Sequence, residues 1–332
     1  MKALVLDGIG QPLQLREVPT PQPQAGEVLV RLEAAALNHR DVWIQQGQYA
    51  GLRFPIVLGS DGAGTVAELG EGVPEQLRGQ AVVIDPGQHW GDNPRVQARS
   101  FTMLGLPHDG TFAEYVCVPA RNVHPRPSHL TAAQAAALPL GGVTAYRALF
   151  TRGRLQAGER VLITGIGGGV ALLALQLAVA RGAEVWVTSG TDAKIERALT
   201  LGARGGRSYR EAGWGKALVQ QAGGQFDLIV DSAAGPGVAE LLEAAAPGGR
   251  LVFYGGTTGT MTNVPPRHVF WKQLDILGST MGTEADFAGL LTLVNEARLV
   301  PITDEVMALA DGEQAMQRMA RGQQFGKLVL QM

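Results

Sequence analysis

The chain has 332 residues, of which 45% are hydrophobic and 17% charged, and its formal net charge is -2. This length is sufficient for two domains, and the balanced charge excludes the basic surface that nucleic-acid binding requires. The only cysteine, Cys117, excludes an internal disulfide and a zinc site built from cysteines, and it fits the reducing cytoplasm in which we expect the protein. We expect no signal peptide and no membrane partner, because the longest apolar run, near 170–180, is too short to cross a bilayer.

Short strands separated by turns are predicted for the first 124 residues. Three prolines between residues 18 and 26 indicate an extended connection between two of these strands. This part of the chain therefore predicts a compact, β-rich, barrel-like domain. Its strands are predicted at 2–6, 13–18, 27–36, 62–69, 80–84 and 112–118.

Beyond Leu130 the pattern changes to helices, at 131–138 and 142–151, and then to alternating strands and helices. This alternation predicts an α/β fold with a doubly wound parallel sheet of six strands. The six strands are predicted at 160–164, 184–188, 206–208, 227–231, 250–254 and 275–279.

The tail of the chain is predicted to return to the first domain. It contains helices at 285–298 and 312–321 and a final strand at 327–330. We therefore expect residues 1–125 and 283–332 to form the β-rich domain, and residues 126–282 to form the dinucleotide-binding domain.

A glycine-rich turn at 165–169 connects the strand at 160–164 to an apolar helix at 170–181. A helix N-terminus of this kind binds pyrophosphate, because its free N–H groups and its dipole both favour an anion. Side chains at the turn would block that approach. The spacing departs from the G-x-G-x-x-G fingerprint, since the third glycine is replaced by valine, so a turn without a ligand is the alternative. The predicted phosphate-binding residues are Gly165, Gly167, Gly168, Gly169 and Val170.

The end of the next strand, at 184–188, indicates which cofactor binds. An acidic residue there binds the ribose hydroxyls in NAD-selective folds, and no carboxylate occupies that position here. Ser189, Lys194 and Tyr209 instead suit a phosphorylated ribose, which favours NADP(H). Asp192 is the alternative acid for NAD(H), although we interpret it as part of the first turn of the following helix.

Segments along the whole chain resemble the medium-chain dehydrogenase/reductase superfamily, and in particular its zinc-type alcohol dehydrogenase-like branch near the quinone oxidoreductases. The resemblance implies a GroES-like catalytic domain, a Rossmann domain, a nicotinamide cofactor and usually a homodimer. The segments are EVLV at 27–30, AALNHRD at 35–41, VLGSDGAGTVAELGEGV at 57–73, DGTFAEYVCV at 109–118, the segment 138–146, the glycine turn at 165, GGRLVFYG at 248–255 and FGKLVL at 325–330.

The resemblance also implies further cofactor contacts. Thr144 corresponds to a threonine near the nicotinamide ribose, and Gly282, Phe325 and Gly326 lie in segments that close over the nicotinamide end. Gly255 ends a strand of the parallel sheet, at the edge where ligands of such sheets bind.

The chain departs from the zinc-using relatives at the metal ligands. Asn38, Ser60 and Leu140 stand where those relatives have cysteine or histidine, and a leucine cannot bind zinc. The lobe at 85–108, which corresponds to the structural zinc lobe, contains no cysteine. We therefore expect no zinc. Four further residues offer an oxygen and nitrogen site, but their loose spacing favours solvated side chains; they are His89, Asp92, His108 and Asp109.

Without zinc, a conjugated acceptor suits the chain better than a simple alcohol or ketone, because conjugation spreads the developing charge and hydrogen-bond donors then suffice. Asn38, Ser60 and Tyr49 are the candidate donors, and His39 or Asp41 is the candidate proton relay. Structural roles are the alternatives: Asn38 caps a turn, His39 is an ordinary hydrogen-bonded histidine, and Asp41 caps a helix that starts at Val42.

The sequence thus predicts a zinc-independent, NADP(H)-dependent oxidoreductase that acts on a small carbonyl, enone or quinone. A metal-free or weakly metal-binding alcohol dehydrogenase is one alternative. A non-catalytic NADPH-binding redox sensor is another. We also expect a homodimer, because the apolar strand at 275–279 lies at the predicted edge of the sheet and an unpaired apolar edge is a liability.

Overall fold

A computed structural model describes residues 1–262 and 264–332 of the chain and divides it into two units. Unit 1 comprises Met1–Gly141, Thr283–Phe287 and Val300–Met332, and unit 2 comprises Gly142–Gly282 and Ala288–Leu299. This division differs from the predicted one in two places. Residues 126–141 belong to unit 1, and residues 288–299 belong to unit 2.

The β-strands follow in chain order. They are β1 (Lys2–Leu6), β2 (Gln14–Glu17), β3 (Glu27–Ala36), β4 (Ile56–Val57), β5 (Asp61–Leu69), β6 (Ala81–Ile84), β7 (Gly87–Gln88), β8 (Thr102–Leu104), β9 (Pro107–His108), β10 (Tyr115–Pro119), β11 (Val123–Pro125), β12 (Arg160–Ile163), β13 (Glu184–Ser189), β14 (Gly205–Ser208), β15 (Phe226–Asp231), β16 (Ala245–Phe253), β17 (Asp275–Gly278), β18 (Thr303–Ala308) and β19 (Lys327–Gln331).

The α-helices are α1 (His39–Gln45), α2 (Ala132–Ala136), α3 (Pro139–Tyr146), α4 (Gly169–Ala180), α5 (Asp192–Thr200), α6 (Trp214–Ala222), α7 (Val238–Ala244), α8 (Pro266–Lys272), α9 (Glu284–Glu296) and α10 (Gly312–Ala320). A π-helical turn, Arg147–Arg152, continues α3. Short 3₁₀ turns lie at Glu75–Leu77, Ala120–Asn122, Gly235–Gly237 and Leu309–Asp311. No helix of the described chain is both long and apolar enough to cross a membrane.

Unit 1 is built on a sheet with strand order β11-β6-β5-β3-β19-β18, and β10 also pairs with β3. The long strand β3 lies inside this sheet, between β5 and β19, and seven of its ten side chains are buried. Apolar residues of β3, β5, β6 and β10 form one core cluster, and residues of β1, α1, α10 and β19 form another. The predicted β-rich, GroES-like fold is confirmed.

Unit 2 contains a six-stranded parallel sheet with strand order β14-β13-β12-β15-β16-β17. Numbered within the sheet, this is the order 3-2-1-4-5-6 of a doubly wound dinucleotide-binding fold. The helix α4, buried on most of its surface, follows β12. The predicted Rossmann sheet is therefore confirmed. Five of its strands match the expected bounds to within one residue, and β16 begins five residues earlier than predicted.

Some elements differ from the prediction. Helix α1 begins at His39 instead of Val42, because Asn38 occupies the N-cap position. Helix α3 begins at Pro139, three residues earlier than predicted. Strand β18 and helix α8 were not predicted, since most side chains of both are exposed or half-buried and neither segment has an apolar periodicity.

Candidate active site

Three strands of unit 1 end or begin at one junction. The antiparallel register pairs Ala36, at the end of β3, with Asp61 at the start of β5 and with Val329 of β19. The N–H of Leu37 then donates to the carbonyl oxygen of Leu328 at 3.0 Å. The residues just beyond these pairs, Asn38 after β3 and Lys327 at the start of β19, are consequently brought together.

A buried ion pair occupies this junction. Lys327 Nζ donates to Asp61 Oδ2 at 2.8 Å and to Asn38 Oδ1 at 2.7 Å. Asn38 Nδ2 donates to Asp61 Oδ2 at 3.0 Å, and the backbone N–H of Leu140 donates to Asp61 Oδ1 at 2.7 Å. Lys327 is 4% exposed and Asp61 is fully buried, so solvent screens the pair little. These contacts fix the orientation of the Asn38 amide.

Asp41 is a fully buried acid next to this pair. Its Oδ2 accepts a hydrogen bond from the backbone N–H of Asn38 at 2.8 Å, which stabilises the first turn of α1. Burial raises the pKa of Asp41 to about 6, while the charges of Arg40 and Lys327 and the hydrogen bond from Asn38 oppose that rise. Asp41 is thus part of a capping box rather than the N-cap residue, and its carboxyl is poised near neutral pH.

Arg40 connects two of the predicted donors, Ser60 and Tyr49. Its Nη1 donates to Ser60 Oγ at 2.7 Å and to the carbonyl oxygen of Leu104 at 2.9 Å. Ser60 Oγ itself donates to the Leu104 carbonyl at 2.8 Å, and Ser60 is fully buried. The ring centroid of Tyr49 lies 5.1 Å from the Arg40 Cζ. The structure therefore places both predicted donors around one guanidinium.

His39 lies apart from these contacts. It is exposed on α1, with its ring centroid 6.1 Å from that of Trp43. Of the five predicted catalytic residues, Asn38 thus binds Lys327, Ser60 and Tyr49 contact Arg40, and Asp41 binds the Asn38 backbone, whereas the side chain of His39 is exposed.

The donor set at this junction does not fit a zinc ion. The three ligand positions are occupied by an amide, a hydroxyl and a leucine, and the amide and hydroxyl oxygens already bind Lys327 and Arg40. Zinc prefers thiolate, imidazole and carboxylate ligands. Among residues 1–262 and 264–332, no group of three or more His, Cys, Asp or Glu side chains is arranged to bind a metal.

Sequence reasoning missed Lys327 and Arg40. Lys327 begins an otherwise apolar strand, and its partners are 289 and 266 residues away, so no local pattern identifies them. Arg40 lies one helical turn before the buried Ile44, and that spacing does place it on the buried face of α1. A charged residue on a buried helical face is the signal that could have been used.

The lobe of unit 1 contains one further perturbed acid. Asp85 is 3% exposed, and burial raises its pKa to about 7, an effect that the charge of Glu284 increases and a hydrogen bond from Gly87 reduces. The four residues considered for an oxygen and nitrogen metal site are all exposed, and Asp109 accepts the N–H of Val57 at 2.9 Å; they are His89, Asp92, His108 and Asp109.

In unit 2 the glycine turn lies at the carboxyl edge of the parallel sheet. Gly165 and Gly167 have φ angles of 66° and 116°, which favour glycine, and Gly168 is the N-cap residue of α4. A Cβ added at Gly165 or Gly168 would meet no atom closer than 3.5 Å, so the space beside the turn is open. The first N–H groups of α4, at Gly169 and Val170, have no acceptor within their helix. The turn therefore fits a pyrophosphate.

Two more residues lie at the carboxyl edge next to this turn. Asp231, at the end of β15, binds Thr164 through Oδ1 and accepts the N–H groups of Ala233 and Ala234 at 2.9 and 2.6 Å. Burial raises its pKa, and these hydrogen bonds lower it. The predicted contact Gly255 is also constrained, since an added Cβ would lie 2.8 Å from the Ser232 carbonyl oxygen.

The residues predicted to bind a ribose phosphate lie around the end of β13. Lys194 is half-buried, and its Cδ would lie 2.7 Å from a Cβ at Gly167. The Tyr209 hydroxyl and the Arg210 Nε would lie 2.7 and 3.3 Å from a Cβ at Gly190. Arg210 was not predicted, and its proximity adds a second positive charge at this edge.

Ser189 and Asp192 have local structural roles. Ser189 is 2% exposed and its hydroxyl donates to the Ile166 carbonyl at 3.3 Å, so in this conformation the hydroxyl does not face outward, unlike its predicted orientation towards a phosphate. Asp192 begins α5, as predicted, with Thr191 as the N-cap residue.

The remaining predicted cofactor residues have defined surroundings within their units. The Thr144 hydroxyl lies 4.0 Å from Met281 Sδ, and Gly282, which is buried, follows Met281. Phe325 is 3% exposed and its N–H donates to Asp304 at 3.1 Å. Gly326 has a φ of 119°, and a Cβ there would lie 2.5 Å from the Ile302 carbonyl oxygen.

The chain combines a parallel six-stranded sheet, with a glycine turn before α4, and a β-rich unit around β3. This is the fold of the medium-chain dehydrogenase/reductase superfamily, and the chain belongs to that superfamily. Residues 24–128 match the family described as alcohol dehydrogenase GroES-like domain. Residues 169–296 match the family described as zinc-binding dehydrogenase.

Individual relatives cover nearly the whole chain. A zinc-type alcohol dehydrogenase-like protein, YogA, of Leptosphaeria maculans is 36% identical over 96% of this chain and 94% of its own length. An acryloyl-coenzyme A reductase of Metallosphaera sedula is 29% identical over 99% of both chains. The crystal structure of an NAD-dependent alcohol dehydrogenase is 36% identical, covers 100% of both chains and has a TM-score of 0.94.

These relatives establish the general activity. The chain is an oxidoreductase enzyme that uses a nicotinamide cofactor.

Proposed function

We propose that the protein is a zinc-independent, NADP(H)-dependent reductase of small conjugated carbonyl compounds. The observation that carries this proposal is the Lys327–Asp61 ion pair with its hydrogen bond to Asn38, at the position where zinc-using relatives have a metal ligand. A buried ammonium and a divalent cation would repel each other in this low-dielectric environment. The junction therefore favours chemistry that depends on hydrogen bonds and side-chain charge.

Conjugated acceptors suit such a site because the charge that develops on hydride addition spreads to an oxygen away from the reacting carbon. Fixed donors stabilise that oxygen without a Lewis acid, and such donors contribute most when they are preorganised and shielded from water. The buried side chains of Arg40, Asn38 and Lys327 provide positive charge and N–H donors of this kind. An acryloyl-coenzyme A reductase among the relatives, by its name, acts on a conjugated acyl compound.

The cofactor proposal rests on unit 2. Bound NADPH would supply the hydride. The open space beside Gly165 and Gly168 and the free N–H groups of α4 would bind its pyrophosphate. Lys194, Tyr209 and Arg210 would bind the ribose phosphate, because they add two positive charges and a hydroxyl at the end of β13, whose last residue is Ser189 and not an acid.

A metal-free alcohol dehydrogenase is the second candidate function. It is favoured by the names of two relatives, one of which is also described as NAD-dependent. The non-catalytic redox sensor is not retained as a proposal, because the full-length relatives are named as enzymes or are enzyme-like.

The cofactor is tested by fluorescence titration of the purified protein with NADPH and NADH, alongside the variants Lys194→Met and Lys216→Met. Lys216 is an exposed lysine of α6 and serves as the matched control. We expect tighter binding of NADPH than of NADH, and Lys194→Met should weaken NADPH binding alone. Equal or tighter binding of NADH would refute the phosphate site and return attention to Asp192.

The reaction is tested with a panel of enones, quinones, aldehydes and alcohols, combined with metal analysis and prolonged chelation. We expect NADPH oxidation with conjugated acceptors, no stoichiometric zinc and no loss of activity on chelation. Bound zinc and chelator-sensitive alcohol oxidation would refute the proposal and establish an alcohol dehydrogenase.

We also propose a cytoplasmic homodimer that pairs through β17. This strand lies at the edge of the sheet with Ile276 42% exposed, and the preceding helix α8 exposes Phe270 and Trp271 by 64% and 74%. An exposed edge with large apolar side chains is a ready pairing surface. Sedimentation analysis of the protein and of Ile276→Lys tests this, and a native protein that is monomeric would refute it.

A further inference from the structure

Arg40 is a buried cation that forms no ion pair within the described chain. It is 5% exposed, and its Nη1 binds only the neutral oxygens of Ser60 and Leu104. Its Nε and Nη2 are buried and have no hydrogen-bond partner among the described residues. The neighbouring acid, Asp41, accepts the N–H of Asn38 through Oδ2, and its Oδ1 is also without a partner in that part of the chain.

This arrangement is unfavourable for folding alone. A buried charge is costly unless a counter-charge and hydrogen bonds compensate it, and each buried donor without an acceptor adds to that cost. Two guanidinium nitrogens on one side chain thus lack acceptors, beside the hydroxyl of Ser60 and the half-buried ring of Tyr49. N–H donors without an acceptor, on a rigid and planar group such as a guanidinium, are typical of a site that binds a ligand oxygen.

We propose that Arg40 is a catalytic residue that binds the carbonyl oxygen of an α,β-unsaturated carbonyl substrate and stabilises it as an enolate. This inference rests on the proposed reductase function and specifies its substrate class. Since Nε and Nη2 are buried, the inference requires a side chain to move before a substrate oxygen reaches them, and the half-buried Tyr49, whose ring centroid lies 5.1 Å from the Arg40 Cζ, is the candidate.

The chemistry of the guanidinium favours a conjugated carbonyl compound over a simple ketone as the hydride acceptor. Arginine stays protonated at all physiological pH values, so it stabilises an oxyanion but does not transfer a proton to it. Reduction of a ketone to an alcohol requires a proton on oxygen. Reduction of a conjugated alkene requires the final proton on carbon. Arg40 therefore suits the second reaction.

The proposed reduction proceeds by hydride transfer followed by protonation on carbon. The β-carbon of the substrate gains a hydride, the electrons of the C=C bond shift towards the carbonyl, and the oxygen becomes negative beside Arg40. The α-carbon then gains a proton from water and the C=O bond re-forms. The substrate is reduced by two electrons, and NADPH is oxidised to NADP⁺.

The test compares the native protein with Arg40→Met, Arg40→Lys and the control Arg31→Met, which changes an exposed arginine of β3. For each protein, kcat and KM are measured with NADPH and a simple cyclic enone, together with the Kd of NADPH and the melting temperature. We expect Arg40→Met to lower kcat by about 10²- to 10³-fold, as loss of an oxyanion donor does. KM, NADPH binding and the control should change little, and Arg40→Lys should retain part of the activity.

Stability separates this role from a structural one. Arg40→Met loses the two Nη1 hydrogen bonds and the charge interaction with Asp41, but it also removes two buried donors without acceptors, and Ser60 Oγ still donates to the Leu104 carbonyl. Its melting temperature should therefore stay close to the native value. A lower melting temperature accompanied by weaker NADPH binding would assign Arg40 to structure and overturn the inference. Unchanged kcat in Arg40→Met would also overturn it and leave the reductase function intact. A native protein that binds NADPH but reduces no enone would refute the reductase function itself, and the inference with it.

Discussion

Replacement of Asp85 by asparagine should stabilise unit 1 at neutral and alkaline pH but not in acid. Asp85 is almost fully buried, and burial, together with the charge of Glu284, raises its pKa from 3.8 to about 7. Asparagine retains an oxygen that accepts the N–H of Gly87, which Asp85 Oδ1 accepts at 3.0 Å. The backbone at this position is bound independently by Asn122, whose Nδ2 donates to the Asp85 carbonyl at 3.0 Å.

The magnitude follows from the pKa change. A raised pKa means that the native state binds the proton more tightly than the unfolded state, so stability falls as pH rises from 3.8 to about 7. A shift of about 3 units corresponds to about 4 kcal/mol of destabilisation, which is absent below about pH 4 and fully present above about pH 7. For a domain of roughly 150–250 residues this is on the order of 10 °C in melting temperature.

The assay follows the difference in melting temperature between Asp85→Asn and the native protein from pH 4 to pH 8. Any cost of burying the new amide does not depend on pH, so the slope of this difference isolates the ionisation of Asp85. Asp92→Asn, which changes an exposed acid of the same lobe, is the matched control and should give a flat difference. A flat or falling difference for Asp85→Asn would show that the reasoning is wrong.

Three further changes have outcomes that the packing determines. Gly64→Ala should destabilise the protein by about 3 kcal/mol in denaturant titration, because its Cβ would lie 2.0 Å from the Arg31 carbonyl oxygen, and a loss no larger than that of Gly8→Ala would contradict this. Thr131→Ala removes an N-cap hydroxyl that accepts the N–H of Gln134 at 3.3 Å and should cost about 1 kcal/mol in the same titration; an unchanged midpoint would count against it. Gly167→Ala should weaken NADPH binding in fluorescence titration, since its φ is 116° and the new Cβ would meet the side chain of Lys194; an unchanged Kd would argue against a phosphate at this turn.

The sequence was sufficient to predict the sheet of unit 2, because parallel strands buried on both faces form continuous apolar runs that are read locally. The resemblance to a known family also selected Asn38, Ser60 and Asp41 as candidates, and their shared catalytic role stays a prediction. The sequence could not predict the role of Lys327, because its contacts depend on the pairing register of β3, β5 and β19. Nor could it predict that Arg40 Nε and Nη2 have no hydrogen-bond acceptor among the described residues, because that depends on the folded positions of the surrounding atoms. The orientation of Ser189 was missed for the same reason, since its acceptor belongs to a different loop.

The position of Lys327 in the chain also affects how the protein is made. Asn38 and Asp61 emerge from the ribosome early, and their cation follows only after a further 266 residues or more. Until then Asp61 has no ammonium to neutralise it, and β3 lacks the neighbour that β19 provides. The N-terminal part of a nascent chain thus carries an incomplete junction that chaperones or proteases can recognise. Completion of this junction is in this sense coupled to completion of synthesis, and prematurely terminated chains lack it.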